Sequence, residues 1–183
     1  LFLKIFIASI PVMIVGFLLV EMGLIAKIRN LETIAWTTLI FGILLYLSDK
    51  FKLEKNIKRD FTYRSAIFIG LFQILALVPG VSRSGIAITA ARLLGFKRID
   101  AAKISFLVSI PILGAVSFFG LKNLILEENM NFTMLNLISV TFSFFFSLIT
   151  IKYFLKFINK FNLNIFVYYR VSLGLILLIF AYL

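Results

Sequence analysis

The residues best suited to chemistry lie in one short loop, Pro79–Gly85, which reads Pro-Gly-Val-Ser-Arg-Ser-Gly. Arg83 offers a planar guanidinium that matches the oxygens of a phosphate group. Ser82 and Ser84 flank it with hydroxyls that donate hydrogen bonds or, beside a base, act as nucleophiles. The chain contains no histidine and no cysteine, so any imidazole base must come from elsewhere. The loop predicts a site for an anionic oxygen ligand.

The surroundings of this loop suit the same kind of ligand. Gly80 and Gly85 let backbone amides approach an anion closely. A helix that begins at Gly85 directs its free N–H groups and its dipole at the loop. Gln73, in the apolar run before the loop, and Thr89, one turn after Gly85, are further candidates for hydrogen bonding.

Each of these residues also has a purely structural interpretation. Ser82 and Ser84 can cap a helix, and Arg83 can extend to lipid headgroups or pair with a carboxylate. Thr89 can simply pack between helices, and Arg92, near the end of its helix, is expected to extend to headgroups. Local physics alone leaves the functional and the structural interpretations open.

The composition predicts an integral membrane protein. Hydrophobic residues make up 62% of the 183 positions, and the mean hydropathy is +1.08, whereas soluble domains contain roughly 45–50% apolar residues. The net charge of +11 would fit a nucleic-acid-binding protein. In a membrane protein, however, lysine and arginine between the spans set the topology. We therefore expect the lipid bilayer, and no nucleic acid, as a partner.

Five segments approach the roughly 20 apolar residues that a spanning helix needs. They are Ile5–Ile25, Leu31–Ser48, Ile104–Leu121, Met134–Ile151 and Ile165–Leu183. The second contains Thr37 and Thr38 and is the least apolar of them. The sequence predicts an all-α fold in which residues 1–183 form a single polytopic domain.

The segment Ser65–Gly95 differs from these spans because Pro79-Gly80 breaks it into two halves. The halves, Ser65–Val78 and Gly85–Gly95, reach roughly 21 and 16 Å at 1.5 Å per residue, too short to cross the bilayer. We predict a re-entrant helix–loop–helix that enters the membrane and turns back.

The distribution of charge agrees with a re-entrant pair. Basic residues cluster in segments 50–64, 97–103 and 152–160, whereas the connection 122–133 carries Glu127 and Glu128. The positive-inside rule places the three basic segments in the cytoplasm and the acidic one outside. It also predicts a cytoplasmic N-terminus, an outer C-terminus and an outer turn at 26–30, although that turn contains Lys27 and Arg29.

Several runs around the loop closely resemble one family, the bacterial undecaprenyl-pyrophosphate phosphatases, also called bacitracin-resistance proteins. The matching residues are Thr62–Arg64, Ile69–Gln73, Leu75–Gly85, Ser105–Leu107, Ser109–Pro111, Ile10-Pro11 with Gly16, and Tyr169-Arg170. The resemblance covers essentially the whole chain, and the Pro-Gly-x-Ser-Arg-Ser-Gly element is highly specific.

The resemblance implies a multi-pass phosphatase of the bacterial inner membrane. It would hydrolyse undecaprenyl pyrophosphate to undecaprenyl phosphate and inorganic phosphate, and so recycle the lipid carrier of peptidoglycan synthesis. The site would open toward the outer, periplasmic face. Arg83 would bind the pyrophosphate with Ser82 and Ser84 as the other catalytic residues. Substrate binding is assigned to Gly80, Gly85, Gln73 and Thr89.

The chain also departs from the family pattern. Ala87 stands where the family usually has threonine. Family members are about half again as long, and their additional N-terminal part carries a second re-entrant loop with glutamates and a histidine. Together with a start at Leu1 that lacks the features of a signal peptide, this predicts the C-terminal two-thirds of a longer protein. The ligands of a Mg²⁺ or Ca²⁺ cofactor are expected in the preceding part, with none in this chain.

Two other functions remain open at this point. Re-entrant helix pairs also occur in transporters, so a carrier or flippase for a polyprenyl phosphate is one alternative. An inactive fragment is the other. Undecaprenyl pyrophosphate and the bilayer are the expected partners, and a homodimer is the expected assembly if the chain self-associates.

Overall fold

Helices form the regular secondary structure of the computed structural model, which describes residues 1–24, 28–50, 54–126 and 134–183. We number the main helices of these ranges in chain order: α1 Phe2–Glu21, α2 Leu31–Asp49, α3 Ile57–Asp60, α4 Tyr63–Ile74, α5 Arg83–Leu93, α6 Arg98–Leu126, α7 Met134–Lys160 and α8 Asn164–Tyr182. A short 3₁₀ turn, Leu75–Leu77, follows α4.

The predicted all-α membrane fold is confirmed. Within the described ranges, five helices (α1, α2, α6, α7 and α8) are long and apolar enough to cross a bilayer. Each overlaps one of the predicted spans, although α1 ends at Glu21, before the predicted end at Ile25, and α6 and α7 extend well beyond the predicted ends. Residues 127–133 of the predicted acidic connection, with Glu127 and Glu128, lie outside the described residues, as do residues 26 and 27 of the predicted turn at 26–30.

The broken segment turns back on itself, as predicted. Lys55 lies just before this segment and Gly95 at its end, yet the Lys55 amide donates to the Gly95 carbonyl at 3.1 Å. The Lys97 amide in turn donates to the Lys55 carbonyl at 3.0 Å. The start of α4 and the end of α5 therefore lie at the same end of the helical bundle. Gly80, with φ of 90°, permits the reversal between them.

Several helix ends meet where the broken segment enters and leaves, and we call this region the basic end. Lys4 of α1 donates through Nζ to the Phe61 carbonyl at 2.6 Å. Asp49, at the end of α2, accepts from the Leu163 amide just before α8 at 3.2 Å. Lysine and arginine of the three basic segments flank these contacts, so the predicted grouping of those segments at one end is confirmed for the described residues.

A buried ion cluster joins the helices at the basic end. Asp49 is 4% exposed and lies 3.1 Å from Arg92 Nε and 2.7 Å from Arg98 Nε. Arg92 also donates to the Phe96 carbonyl at 3.0 Å. The prediction that Arg92 extends to lipid headgroups is wrong, because its guanidinium is buried against the Asp49 carboxylate.

Helix α5 lies at the centre of the bundle, and its residues Ile86–Arg92 are all buried. It packs against α2, α4 and α6. By contrast, residues 136–150 of α7 are all exposed, and hydrocarbon tails are the suitable solvent for their apolar side chains, whereas Ile158 near the end of α7 is buried in the core. The bundle thus holds the start of α5, and with it the Pro79–Gly85 loop, inside the protein.

Candidate functional site

The loop ends in a strained helix cap. Ser82 precedes α5, and its Oγ accepts a hydrogen bond from the Gly85 amide at 3.3 Å. Its φ of 67° makes it the one non-glycine residue with positive φ among those described. Such a conformation costs of order 1–3 kcal/mol and persists only where the surroundings enforce it. Ser84 Oγ lies 3.4 Å from Ser82 Oγ, so the two hydroxyls form a pair at the first turn of α5.

Side chains of two other helices hold the loop from outside. Three successive carbonyls accept their hydrogen bonds. Thr37 Oγ1 donates to Pro79 O at 2.6 Å and Thr38 Oγ1 to Gly80 O at 3.3 Å. Arg170 Nη2 donates to Gly80 O at 2.8 Å and its Nη1 to Val81 O at 2.9 Å. The contacting groups are thus Thr37 and Thr38 of α2 and Arg170 of α8.

The depth of the loop follows from its partners on α2. Thr38 lies eleven residues before Asp49, which is roughly 17 Å along a helix at 1.5 Å per residue. The hydrocarbon core of a bilayer is about 30 Å thick. The loop therefore contacts α2 near the middle of a helix that is long and apolar enough to span the bilayer, and at that depth irregular backbone must be packed in protein or line a polar cavity.

Glycine is required where the loop meets α2. A Cβ on Gly80 would lie 2.6 Å from the Ile34 carbonyl oxygen and closer still to Thr37 Oγ1. Real Cβ atoms do not approach backbone this closely, so a larger residue would push the loop off α2. The close approach brings the Pro79 carbonyl within hydrogen-bonding distance of Thr37.

Arg83 differs from the other arginines near the core. It is half-buried as the first residue of α5. Its guanidinium has no hydrogen bond or ion pair with any residue in the described part of the chain. Half-buried arginine without a counter-ion is costly at this depth. An anionic ligand would offset that cost, and the N–H groups at the start of α5 would add to the attraction.

A cavity of about 350 Å³ opens beside the loop. Its polar wall is formed by Thr38, Ser82, Ser84, Arg170 and the backbone of Gly80 and Gly85. The remaining wall is apolar and is formed by Leu45, Ile88, Phe154, Leu163, Phe166 and Leu173, with Tyr169 at its edge. A polar end joined to an apolar end suits a phosphate group that carries a hydrocarbon chain.

The predicted site residues are only partly brought together. Gly80, Ser82, Ser84 and Gly85 all line the cavity, whereas Arg83 begins α5 without appearing in its wall. The two remaining candidates, Gln73 and Thr89, do not line it either.

Gln73 and Thr89 are both almost fully buried, each 1% exposed. Thr89 Oγ1 donates to the Gly85 carbonyl one turn earlier at 2.9 Å. Gln73 Nε2 is buried and has no hydrogen-bond partner among the described residues. Their assignment to substrate binding, like the catalytic assignment of the loop residues, stays a prediction.

Three residues that hold the loop were not predicted as part of the site. In the sequence, Thr37 and Thr38 are notable only as polar residues in the least apolar of the predicted spans. Arg170 is notable only as part of the Tyr169-Arg170 pair that matches the family. Polar and charged residues inside spanning segments are usually functional. That rule could have marked all three, but it could not have indicated which partner each one contacts.

The described residues do not fit a divalent cation site at the loop. Carboxylate oxygens are the ligands that Mg²⁺ and Ca²⁺ prefer, yet the described part of the cavity wall contains no carboxylate. Groups of three or more acidic, histidine or cysteine residues that could hold a metal are likewise absent from the described ranges. Asp49, the buried carboxylate at the basic end, is already paired with two arginines.

Fold and site together define a polytopic membrane protein with a re-entrant loop that lines a cavity. The family described as bacitracin resistance protein BacA matches residues 1–176. The chain therefore belongs to the bacitracin resistance protein BacA family.

Relatives named undecaprenyl-diphosphatase match nearly the whole chain. The Pelagibacter ubique protein is 52% identical over 177 residues, which cover 96% of this chain and 69% of the relative. The Dinoroseobacter shibae protein is 42% identical and is matched over 66% of its length, with 96% of this chain covered. The Saccharophagus degradans protein is 44% identical, with coverages of 93% and 63%. The chain thus spans about two thirds of the length of these relatives.

Proposed function

We propose that the protein to which this chain belongs is an undecaprenyl-diphosphatase, a membrane hydrolase that converts undecaprenyl pyrophosphate to undecaprenyl phosphate and inorganic phosphate. Membership of the BacA family and the relatives of that name support this proposal. The observation in the structure that carries it is the half-buried Arg83 at the start of α5, which has no hydrogen-bond or ion-pair partner among the described residues.

Arg83 binds the pyrophosphate in this proposal, together with the first amides of α5 and the hydroxyls of Ser82 and Ser84. Phosphoryl transfer depends mainly on positioning and on electrostatic stabilisation of the transferring group. A guanidinium fixed beside the phosphates supplies both. The apolar wall of the cavity accommodates the first isoprenoid units of the lipid, which would otherwise be exposed beside a polar headgroup.

The proposed hydrolysis also needs a general base or a nucleophile, which the described residues of the loop do not provide by themselves. Ser82 and Ser84 are hydroxyl groups without a described histidine or carboxylate beside them. We propose that the acid–base groups and the ligands of a Mg²⁺ or Ca²⁺ ion come from parts of the protein outside this chain. Within the chain, Arg83 and the two serines bind and orient the substrate.

The proposed location is the bacterial inner membrane, with the basic end in the cytoplasm. Helix α5 runs from the loop toward the basic end, so its N-terminal amides face the opposite, outer side. This direction supports a site that receives substrate from the periplasmic face. Cysteine is absent from the chain, so Lys58→Cys and Glu32→Cys can each be labelled selectively with a thiol reagent that does not cross the membrane. In intact cells we expect labelling of Glu32→Cys, on the outer side, and none of Lys58→Cys. Labelling at position 58 alone in intact cells would reverse the proposed orientation.

Phosphate release from the detergent-solubilised intact protein tests the function. We expect turnover of undecaprenyl pyrophosphate by the wild type and a loss of about 10²–10³-fold in Arg83→Ala, the effect typical of removing a transition-state donor. Arg59→Ala, a change at an exposed arginine near the basic end, should retain full activity. Near-normal turnover in Arg83→Ala would contradict the assignment of Arg83.

The same assay separates the phosphatase from the alternatives. A carrier or flippase releases no phosphate in detergent, where there is no second compartment. An inactive fragment gives no turnover from this chain but regains it when the rest of the protein is restored. A homodimer remains a proposal, for which the mass of the detergent-solubilised protein is the measurement.

A further inference from the structure

Arg170 contacts the loop from a distant part of the sequence. It is only 8% exposed, and it donates to two successive loop carbonyls, those of Gly80 and Val81, at 2.8 and 2.9 Å. We propose that Arg170 is a positioning residue for the phosphatase reaction, which holds the turn that places Ser82 and Arg83 at the start of α5. This inference rests on the proposed function.

The surrounding helices leave a fitted space for this side chain. At its base, a Cβ on Gly42 of α2 would lie 3.2 Å from Arg170 Cβ. At its head, a Cβ on Gly85 of α5 would lie 2.8 Å from Arg170 Nη1. A larger residue at either glycine would displace the stem or the guanidinium. Arg170 is therefore located at both ends by helices α2, α5 and α8, which is expected of a residue whose position matters.

The loop needs these hydrogen bonds because its own backbone cannot supply them. The carbonyls of Val78 and Ser82 accept from the Val81 and Ile86 amides. The three carbonyls between them, those of Pro79, Gly80 and Val81, accept instead from side chains of α2 and α8. Near the middle of a membrane no bulk water replaces the missing donors. A guanidinium suits the task, since its planar N–H groups reach two neighbouring oxygens at once.

Arg170 and Arg83 consequently have different roles at the same loop. Arg170 directs both terminal nitrogens at backbone oxygens, whereas Arg83 has no partner among the described residues. Arg170 thus acts on the substrate through the backbone. Its loss should release the strained conformation of Ser82, whose φ of 67° depends on its surroundings. Arg83 would then move with the first turn of α5.

The experiment compares the intact wild-type protein with Arg170→Gln, Arg170→Lys and the control Arg59→Gln. Two measurements are made: hydrogen–deuterium exchange of the 80–85 backbone amides without substrate, and the determination of kcat and KM for phosphate release. In Arg170→Gln we expect faster exchange in this segment and a decrease in kcat of about 10- to 100-fold, since small misplacements of reacting groups have effects of this size. KM should change by less than about threefold.

The two other variants sharpen the result. Arg170→Lys should recover part of the lost kcat and part of the protection from exchange, because one ammonium can still donate to a loop carbonyl. Arg59→Gln should match the wild type in both measurements. Lost activity with unchanged exchange at 80–85 would overturn the proposal in favour of direct contact with the substrate. Unchanged kcat in Arg170→Gln would overturn it altogether.

A glycine pair keeps the test valid if Arg170→Gln fails to fold. Gly42→Ala, outside the loop, places a Cβ 3.2 Å from Arg170 Cβ, so it should raise exchange at 80–85 and lower kcat. Gly114→Ala is the matched control, since nothing lies within 4 Å of its Cβ position. Equal behaviour of the two alanine variants would overturn the proposal. A wild type that releases no phosphate would instead overturn the phosphatase assignment. Faster exchange in Arg170→Gln would even then support the conclusion that Arg170 fixes the loop backbone.

Discussion

The arginines at the basic end and the arginine at the start of the loop helix differ in whether a carboxylate neutralises them. At the basic end, Arg92 and Arg98 share the carboxylate of Asp49, which also accepts from a backbone amide. At the loop, Arg83 has no such counter-ion among the described residues. A paired charge is part of the structure, whereas a charge kept without a partner is available to a ligand.

The difference separates stability from function. Removing one partner of a buried ion pair leaves an uncompensated charge and costs several kcal/mol. Removing a half-buried charge without a partner costs the fold little. The basic end should therefore govern the free energy of unfolding, and the loop should govern phosphate release.

The largest effect is expected at the basic end. Asp49→Ala leaves Arg92 buried without its carboxylate, so the free energy of unfolding in detergent should fall by roughly 3–5 kcal/mol. Glu54→Ala, at an exposed position, should leave it nearly unchanged. Equal stability of these two variants would mean that the cluster does not support the fold. Phosphate release per folded Asp49→Ala molecule should stay close to that of the wild type.

Arg83→Lys tests whether the loop needs a planar fork or only a positive charge. An ammonium keeps the charge but loses the paired N–H groups that match phosphate. The loss of one charge-assisted hydrogen bond is worth roughly 1.5–3 kcal/mol, so kcat/KM should fall about 10- to 100-fold. Thermal unfolding should not change. Full activity of this variant would reduce the role of Arg83 to a general electrostatic one.

Ser82→Gly should change stability and activity in opposite directions. Glycine adopts positive φ without strain, so the free energy of unfolding should rise by about 1 kcal/mol. Phosphate release should fall, because the hydroxyl that caps α5 and faces the cavity is lost. Ser65→Gly gives the comparison, since Ser65 lies at the ordinary start of α4. A variant that is both less stable and fully active would contradict the strain assigned to Ser82.

The smallest effect is expected for Thr37→Val, which removes the hydrogen bond to the Pro79 carbonyl at 2.6 Å. A buried carbonyl left without its partner costs about 1–3 kcal/mol. Because the hydroxyl of Thr38 still donates to the neighbouring Gly80 carbonyl, we expect the loss in stability to lie near the lower value. We expect a modest decrease in thermal stability and faster amide exchange at the loop. An unchanged loop would show that Thr38 and Arg170 suffice to hold it.

Much of the architecture was predictable because its causes are local. Apolar length marks the spans, Pro79-Gly80 marks the reversal, and the basic segments mark a common end. The ends of α6 and α7 were less predictable, since charged residues continue these helices past the apolar stretch. Arg92 was misjudged because its partner, Asp49, is 43 residues away in the chain and nothing in the local pattern connects them.

The sequence by itself determined the membrane setting, the helix break and the identity of the loop residues, since hydropathy, proline and glycine act within a few residues of where they stand. Only the tertiary structure decided which charges are paired and which have no partner among the described residues. The contacts that hold the loop join Arg170 to carbonyls 89 and 90 positions away. Such distant partners meet only when α2, α5 and α8 pack together, because a hydrogen bond depends on distances that the order of residues does not specify.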